Sequence, residues 1–398
     1  MDKIGFVIPW FGWDIPGGAE AELRGLVTHL HDAGVRLEIL TTCVKEFLSD
    51  WSHNFHRPGT VVEHGITIRR FRADSRNAGD FAQVNARLMG GQLPLTAEEE
   101  QTYVREMINS RELCRYLARH QQEYALYVFI PYMFGTTYHG IMQCPEKSVL
   151  IPCLHDESYI YMKVFADVFS KLRGMIFHAY PEEALAERVY DLGGVKHAVL
   201  GEGIDTDWEG DAERFRKKYH MEKPYILYAG RKDSGKNVDQ LISYYREYLR
   251  RGGEQLELVL IGGGSIHIPG DIKEHVHDLG FVPIQDKYDA YAGARMLCNP
   301  SHNESFSLVV MESWLAGRPV LVSGGCAVTR DFALRTGGGL YYDSYFEFEG
   351  AVNYLWAHPD MAERMGECGR QYVLEHFSWP AIVEKYRTFF AEAAGENL

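Results

Sequence analysis

Residues 299–322 read NPSHNESFSLVVMESWLAGRPVLV, and this stretch combines the end of a strand, a helix and a second buried strand. Its two glutamates, Glu304 and Glu312, are separated by seven residues, which places them about two helical turns apart. The spacing predicts Glu304 at the helix N-terminus and Glu312 on roughly the same side of the helix. Backbone amides near Phe306–Leu308 would then face an anion such as a diphosphate. A capping acid followed by a solvated helix glutamate would give the same spacing.

The same order of elements continues in both directions from this stretch. The predicted strands are Lys3–Pro9, Val35–Thr42, Tyr127–Pro131, Ser148–Cys153, Met175–His178, Ala198–Leu200, Tyr225–Ala229, Leu256–Ile261, Phe281-Val282, Met296–Asn299, Pro319–Val322 and Leu340–Tyr342. Helical patterns separate them. Two successive series of this kind predict an α/β protein with two doubly wound domains and mostly parallel sheets. Ligands bind such sheets at the carboxyl ends of their strands, so we expect the domains to face a central cleft.

The length of 398 residues exceeds what one hydrophobic core usually supports, which favours two domains. We interpret the charged, glycine-bearing stretch 201–223 as the linker. The predicted division is an N-terminal domain over 1–202, a C-terminal domain over 203–378, and a last segment, 379–398, that is helical over Trp379–Ala394.

Composition restricts the class of function. The hydrophobic fraction of 46% is typical of a globular protein, and the net charge of −14 disfavours nucleic acid as a partner. Seven scattered cysteines without a CxxC pair indicate free thiols and a reducing cytoplasm. No apolar run is long enough for a transmembrane helix and the first residues lack a signal-peptide pattern, while peripheral contact with a membrane stays open.

A second constellation lies in the glycine-bearing loop Gly230–Asn237, between a predicted strand and a helix. Arg231 and Lys236 could hold a pyrophosphate, the guanidinium by chelation and the ammonium as a point charge. The loop also nearly matches the Walker A pattern of nucleotide hydrolases. However, Asn237 replaces the hydroxyl residue that would hold Mg²⁺. A charged surface loop is the third interpretation.

The run from Glu304 to Glu312, followed by Ala316-Gly317-Arg318-Pro319-Val320, resembles the family-4 retaining glycosyltransferases. The resemblance implies the GT-B fold of two Rossmann-like domains. It places Glu304 against the donor sugar and Glu312 on the nucleotide ribose. In the family, an arginine and a lysine in the places of Arg231 and Lys236 stabilise the leaving diphosphate. This chain departs from the family at Ser305 and Ser307, where glycine is usual or frequent. The donor-binding residues that the resemblance and the loop geometry suggest are Gly230, Gly263, Ser305, Phe306, Ser307, Leu308 and Glu312.

The N-terminal half resembles the family only in outline. Gly17-Gly18 opens the first helix, where the family loop reaches the donor phosphates and the acceptor site. His155 follows a buried strand, at a place where the family often has a histidine that bonds the donor sugar, and Glu157 is a candidate acceptor contact. The family's final helix commonly crosses back onto the first domain, so we expect Trp379–Ala394 to do the same.

The resemblance implies a retaining hexosyltransferase that requires neither metal nor cofactor. The expected donor is UDP-glucose or another nucleoside diphosphate hexose, and the expected acceptor is a saccharide or lipid-linked group in polysaccharide or glycoconjugate biosynthesis. Asp205-Thr206-Asp207 matches the DxD signature of metal-dependent transferases, but it lies at the interdomain turn and is interpreted as structural. Three alternatives stay open: an epimerase or sugar phosphorylase on the same fold, a P-loop nucleotide hydrolase, and a non-catalytic sugar-nucleotide-binding assembly protein.

Overall fold

Short runs of buried β-branched, leucine and aromatic residues form two separate sheets in the computed structural model, which describes residues 3–253 and 255–395. The chain divides into two compact units. The N-terminal unit contains the chain up to Gly203 together with the segment from Ile382 onward, and the C-terminal unit is Ile204–Ala381. Each unit is an α/β structure with a mostly parallel sheet, so the predicted fold class is confirmed.

The N-terminal unit contains a sheet of eight strands in the order β3-β4-β2-β1-β5-β6-β7-β8. Every neighbouring pair is parallel except β3 and β4, which form an antiparallel hairpin. The strands are β1 (Lys3–Ile8), β2 (Leu37–Thr42), β3 (Gly59–Glu63), β4 (Ile66–Phe71), β5 (Tyr124–Phe129), β6 (Ser148–Leu150), β7 (Gly174–Phe177) and β8 (Lys196–Val199). The helices are α1 (Gly18–Asp32), α2 (Ala78–Met89), α3 (Ala97–Glu106), α4 (Arg111–Arg119), α5 (Gly135–Ile141), α6 (Lys163–Phe169) and α7 (Tyr180–Val189).

The C-terminal unit contains a parallel sheet of six strands in the order β11-β10-β9-β12-β13-β14. Its strands are β9 (Tyr225–Ala229), β10 (Glu257–Ile261), β11 (Val276–Gly280), β12 (Met296–Asn299), β13 (Val320–Ser323) and β14 (Gly339–Tyr342). Its helices are α8 (Ala212–Tyr219), α9 (Val238–Arg250), α10 (Ile284–Gly293), α11 (Leu308–Leu315), α12 (Ala327–Thr336), α13 (Tyr345–Ala357) and α14 (Pro359–His376).

The last helix, α15 (Trp379–Ala394), belongs to the N-terminal unit from Ile382 onward. Its Phe390 ring packs edge-to-face against Phe6 of β1, with the ring centroids 6.2 Å apart. The Lys385 ammonium donates to the carbonyl of Leu200 at 3.3 Å. An apolar contact and a hydrogen bond therefore hold the end of the chain against the N-terminal sheet.

Three details of the predicted elements are wrong. The pair Phe281-Val282 is not a strand, because the ladder ends at Gly280 in a left-handed conformation (φ 63°) and the Phe281 side chain is 87% exposed. The strand of this region, β11, lies earlier and was missed. The stretch 201–223 is not only a linker, since it contains α8, whose Asp211 cap accepts from the amides of Glu213 and Arg214. The hairpin of β3 and β4 was also missed, because β3 is exposed along most of its length and lacks an apolar pattern.

No helix in the described parts of the chain combines the length and the apolar character needed to cross a bilayer. All seven cysteines are free thiols.

Candidate functional site

The glycine-bearing loop after β9 and the loop after β12 are joined by an ion pair. The Lys236 ammonium donates to Glu304 Oε1 at 2.8 Å, and the two side chains are 27% and 13% exposed. The strands β9 and β12 are neighbours in the sheet, so their carboxyl ends bring the two loops together. Two residues that the sequence singled out separately therefore meet at one edge of the C-terminal sheet, where both remain accessible.

The second glutamate of the motif, Glu312, is held by two side chains of α10. The Lys287 ammonium donates to Glu312 Oε1 at 2.5 Å, and the fully buried Tyr291 hydroxyl donates to Oε2 at 2.8 Å. Burial raises the pKa of Tyr291 well above its usual value, and the carboxylate adds to the effect, so this phenol is a permanent donor. Lys287 and Tyr291 were not predicted from the sequence. Their spacing of four residues, which aligns two donors on one helix face, was the available signal.

The turn before α11 contains Ser307, one of the two serines where the family resemblance leads us to expect glycine. Ser307 is the residue before the helix and has φ 81°, a left-handed conformation that favours glycine. Its hydroxyl accepts a hydrogen bond from the Asn299 side-chain amide at 2.9 Å, which helps to hold the turn. The helix begins at Leu308, and the amides of Val310 and Met311 already donate to the Ser307 carbonyl, so the two amides before them, at Leu308 and Val309, are the ones suited to an anion.

Phe306 contributes packing rather than a ligand-facing ring. Its side chain is 1% exposed and contacts Phe332 and Phe377 edge-to-face, with ring centroids 5.6 and 4.8 Å away. Only the backbone of this predicted binding residue is suited to contact a donor. Ser305 precedes it in the same loop and is partly exposed.

The loop after β9 separates two basic residues that are adjacent in sequence. The Arg231 side chain is 74% exposed and lies 3.5 Å from Asp233 Oδ2. Lys232 was not singled out from the sequence; its side chain is 1% exposed and donates to the Gly262 carbonyl at 2.7 Å and to Asp278 at 2.5 Å. Arg231 is therefore available to a ligand, whereas Lys232 ties together the ends of three strands.

The glycines at these strand ends allow close backbone packing. Gly230 has φ 148°, and a side chain on Gly262 would overlap the Gly230 carbonyl oxygen. A Cβ atom on Gly263 would lie 2.6 Å from the Phe281 ring. Position 262 therefore needs glycine for its backbone contact with Gly230, whereas a side chain on Gly263 would meet only the exposed Phe281 ring, which can move.

In the N-terminal unit, Gly17 and Gly18 form the start of α1. Gly17 has φ 139°, and a side chain there would overlap the carboxylate of Glu20, which folds back over the loop and accepts a hydrogen bond from the Trp10 indole. Glu20 is 7% exposed. A carboxylate at a helix N-terminus occupies the place where an anion would be stabilised, so the helix dipole at this loop is already partly compensated.

His155 lies after β6, and its side chain is 29% exposed. Its Nδ1 atom is 3.8 Å from Glu157 Oε1, and Glu157 also accepts from the Tyr132 hydroxyl at 3.3 Å. Asp156 accepts hydrogen bonds from Tyr161 and Arg188, both at 2.6 Å. The predicted histidine is thus accessible, in a loop that neighbouring side chains hold in place.

The DxD-like segment has a structural environment. The Asp205 carboxylate accepts from the Trp379 indole at 2.7 Å, and its carbonyl accepts from the Trp208 indole at 3.0 Å. Among the described residues, the one group of three side chains with metal-ligand geometry lies elsewhere and does not include Asp205 or Asp207.

Part of the chain is similar in sequence to known glycosyltransferases. Residues 210–372 match the sequence model described as Glycosyl transferases group 1. A D-inositol 3-phosphate glycosyltransferase of Gordonia bronchialis is 27% identical over 226 residues, which cover 52% of this chain and 49% of that protein. The chain therefore spans about half the length of the curated relatives it matches.

Solved structures share the fold over almost the whole chain. Sucrose-phosphate synthase from Thermosynechococcus elongatus superposes with a TM-score of 0.68 at 18% identity, over 98% of this chain and 100% of that one. Anabaena Alr3699/HepE in complex with UDP-glucose superposes with a TM-score of 0.67 at 13% identity, also over 98% and 100% of the two chains. The fold defines the GT-B class. The segment 210–372, which contains the motif between Glu304 and Glu312, is similar to the glycosyl transferases group 1 family.

Proposed function

We propose that this protein is a retaining glycosyltransferase that moves a hexose from a nucleoside diphosphate sugar to an acceptor hydroxyl. The observation that carries the proposal is the pairing of accessible charges at the carboxyl ends of the C-terminal strands. Lys236 meets Glu304, Lys287 and Tyr291 hold Glu312, and both glutamates lie in the segment that matches the family. Cations and amides at such a place are suited to a diphosphate, and carboxylates are suited to sugar hydroxyls.

In the proposed reaction, the bond between the donor's anomeric carbon and the diphosphate oxygen breaks, and the acceptor oxygen bonds to that carbon on the same face. The diphosphate oxygen takes the proton of the acceptor hydroxyl. Lys236, Arg231 and the first amides of α11 would stabilise the negative charge that develops on the leaving group. Glu304 would orient the sugar, and Glu312 would hold the ribose. The Lys236–Glu304 bond supports this arrangement, because it would hold the ammonium beside the sugar-orienting glutamate before the donor binds.

UDP-glucose is the donor we propose, supported by the UDP-glucose complex of the Anabaena neighbour, which shares the fold at low identity. The N-terminal unit, with His155 and Glu157, would bind the acceptor, a saccharide or lipid-linked group of polysaccharide or glycoconjugate biosynthesis. His155 would also bond the donor sugar. Transfer would require no metal or cofactor and would take place in the cytoplasm, with peripheral contact at the inner membrane face as a further part of the proposal.

A screen of nucleotide sugars for thermal stabilisation, without added metal, tests the donor. A ligand that binds the native state raises the apparent unfolding temperature, so UDP-glucose should give a larger shift than UDP or ADP-glucose. The stabilising donor is then incubated with candidate acceptors, and the anomeric configuration of the product is read by NMR. Transfer with retained configuration supports the proposal, and transfer with inversion contradicts it.

The same experiment separates the alternatives. A sugar isomer formed without an acceptor would indicate an epimerase, and release of sugar phosphate with inorganic phosphate would indicate a phosphorylase. Mg²⁺-dependent hydrolysis of ATP or GTP would indicate a P-loop hydrolase. Stabilisation by a donor without transfer or donor hydrolysis would indicate a binding protein.

A further inference from the structure

A second cluster of charged side chains lies at the carboxyl ends of the N-terminal strands, and unlike the donor site it is buried. His178 follows β7 and is 0% exposed; Glu22, on α1, is 7% exposed; Cys153 follows β6 and is partly buried. Three segments that are distant in sequence therefore bring an imidazole, a carboxylate and a thiol together.

The donor atoms of these side chains converge. His178 Nε2 is 2.7 Å from Glu22 Oε1, and Cys153 Sγ is 3.8 Å from Glu22 Oε2. Each of the three residues offers one potential metal-binding atom, and these three atoms all lie within 4.8 Å of one another. Ligand atoms around a tetrahedral zinc ion lie about 3.3–3.6 Å apart, given bond lengths of about 2.0–2.3 Å. Small side-chain movements would therefore create the distances that such an ion needs.

A second carboxylate, that of Glu182, lies near the other ring nitrogen of His178. Glu182 Oε2 lies 3.6 Å from His178 Nδ1, and the Glu182 side chain is itself held by the backbone amides of Leu154 and His178, each at 2.7 Å. Histidine ligands of metals commonly direct their other ring nitrogen towards a carboxylate, which fixes the orientation of the ring and raises the basicity of the ligand. Glu182 stands in that position relative to a ligand at His178 Nε2.

We propose that Glu22, Cys153 and His178 form a binding site for a zinc-class divalent cation, with Glu182 as the outer carboxylate of the histidine ligand. Carboxylate, thiolate and imidazole groups are each zinc ligands. The ion would link α1 to the loops after β6 and β7. Its role is structural, so it is independent of the proposed transfer reaction and compatible with a donor site that needs no metal.

The test uses the full, untagged chain after treatment with a chelator, and Co²⁺ as a spectroscopic probe for zinc. We expect one Co²⁺ per chain, with a near-ultraviolet thiolate-to-cobalt charge-transfer band, and displacement of the ion by Zn²⁺. Cys153→Ser should abolish the band. Cys144→Ser, which changes a buried cysteine of the same unit away from the cluster, should retain it.

His178→Gln should abolish stoichiometric binding, and Glu182→Gln should weaken it by about 10–100-fold. Far-ultraviolet circular dichroism checks that each variant is folded. Absence of stoichiometric binding by the folded parent chain would overturn the proposal, as would a charge-transfer band that survives in folded Cys153→Ser. Neither readout depends on transferase activity, so failure here and failure of the proposed function are distinguishable.

Discussion

The two sheets carry charged clusters at the same kind of place, the carboxyl ends of parallel strands, but the clusters differ in access. In the C-terminal unit, the Lys236 and Glu304 side chains are 27% and 13% exposed, and Lys287 and Glu312 are 27% and 14% exposed. In the N-terminal unit, the His178 and Glu182 side chains are both 0% exposed. The first cluster is open to a ligand as large as a nucleotide sugar, whereas the second is closed off from solvent.

This difference in solvent access predicts different roles for the two clusters, one in ligand binding and the other in stability. An accessible ion pair contributes little to folding, because water competes for both charges. A buried pair has lost its water, so removal of one partner leaves a costly unpaired charge. We therefore expect substitutions in the C-terminal cluster to change activity and substitutions in the N-terminal cluster to change stability.

The largest expected effect is on folding. His178→Ala should lower the free energy of unfolding by about 3–5 kcal/mol in metal-free protein. Burial opposes a charge on the imidazole, but the carboxylates of Glu22, Glu182 and Glu202 outweigh burial and raise the pKa of His178 to about 10, so the substitution removes the charge that faces Glu22 and Glu182. The loss in the free energy of unfolding is measured by urea denaturation, with circular dichroism as the signal. The control is His139→Ala, which removes a partly buried histidine bonded to the carbonyl of Val104 rather than to carboxylates, and should cost about 0.5–1.5 kcal/mol. Equal losses in the two variants would contradict the assignment of the buried cluster to stability.

Lys236→Ala tests whether the accessible cluster affects activity rather than stability. If the ammonium stabilises the leaving diphosphate, kcat should fall by about 10²–10³-fold, with little change in the urea midpoint. Steady-state kinetics with the stabilising donor measures this. Lys217→Ala removes an exposed lysine paired with Glu213 on α8 and should leave kcat unchanged. If Lys236→Ala retains the parental kcat, the Lys236 ammonium does not stabilise the leaving diphosphate.

Lys287→Met separates positioning from catalysis within the same cluster. Loss of the ammonium frees one oxygen of Glu312, while Tyr291 still holds the other. We expect KM for the donor to rise about tenfold, which corresponds to about 1.4 kcal/mol of binding, with kcat nearly unchanged. Lys287→Arg should restore much of the loss. A fall in kcat at constant KM would instead assign Lys287 to the reacting diphosphate.

The pH dependence of stability tests a further partly buried charge of the N-terminal unit. Burial opposes a charge on Glu38, but hydrogen bonds from Arg69, Lys3 and Tyr124 prevail and lower its pKa. A carboxyl whose pKa is lower in the folded state stabilises the protein above its unfolded pKa, and this contribution is lost as the pH falls through the folded value. Glu38→Gln should therefore be less stable than the parent at neutral pH, with the difference shrinking in acid. Urea midpoints from neutral pH downward measure it, and a difference that grows in acid would contradict the sign.

The smallest expected effect is at the turn before α11. Ser307→Gly relieves a left-handed serine, which should stabilise the protein by up to about 1 kcal/mol, reduced by loss of the hydrogen bond from Asn299. Thermal unfolding measures the shift. Ser307→Ala keeps the strain and loses the hydrogen bond, so it should be less stable than both the parent and the glycine variant. The order of the three midpoints decides whether backbone strain or the hydrogen bond dominates.

The sequence alone determined the two-domain α/β class, most strand positions and the resemblance of the C-terminal half to group 1 glycosyl transferases. Those features depend on local patterns, namely buried strand residues, helical spacing, and a motif whose members lie within one loop and one helix. It also selected Lys236 and Glu304, although it did not predict that they bond to each other. The sequence pattern misplaced the strand near Phe281. A phenylalanine followed by a valine is typical of a buried strand, and the sequence does not show that this phenylalanine is exposed.

The tertiary structure alone decided which charges are accessible. Lys232 and Arg231 are adjacent in sequence and both are cationic, yet packing buries Lys232 and exposes Arg231. Likewise, Glu22, Cys153 and His178 are unremarkable in sequence and converge only when α1 and the ends of β6 and β7 come together. Solvent access and long-range convergence depend on the packing of segments more than a hundred residues apart, as the Glu22–Cys153 contact illustrates, and local sequence patterns carry no record of it.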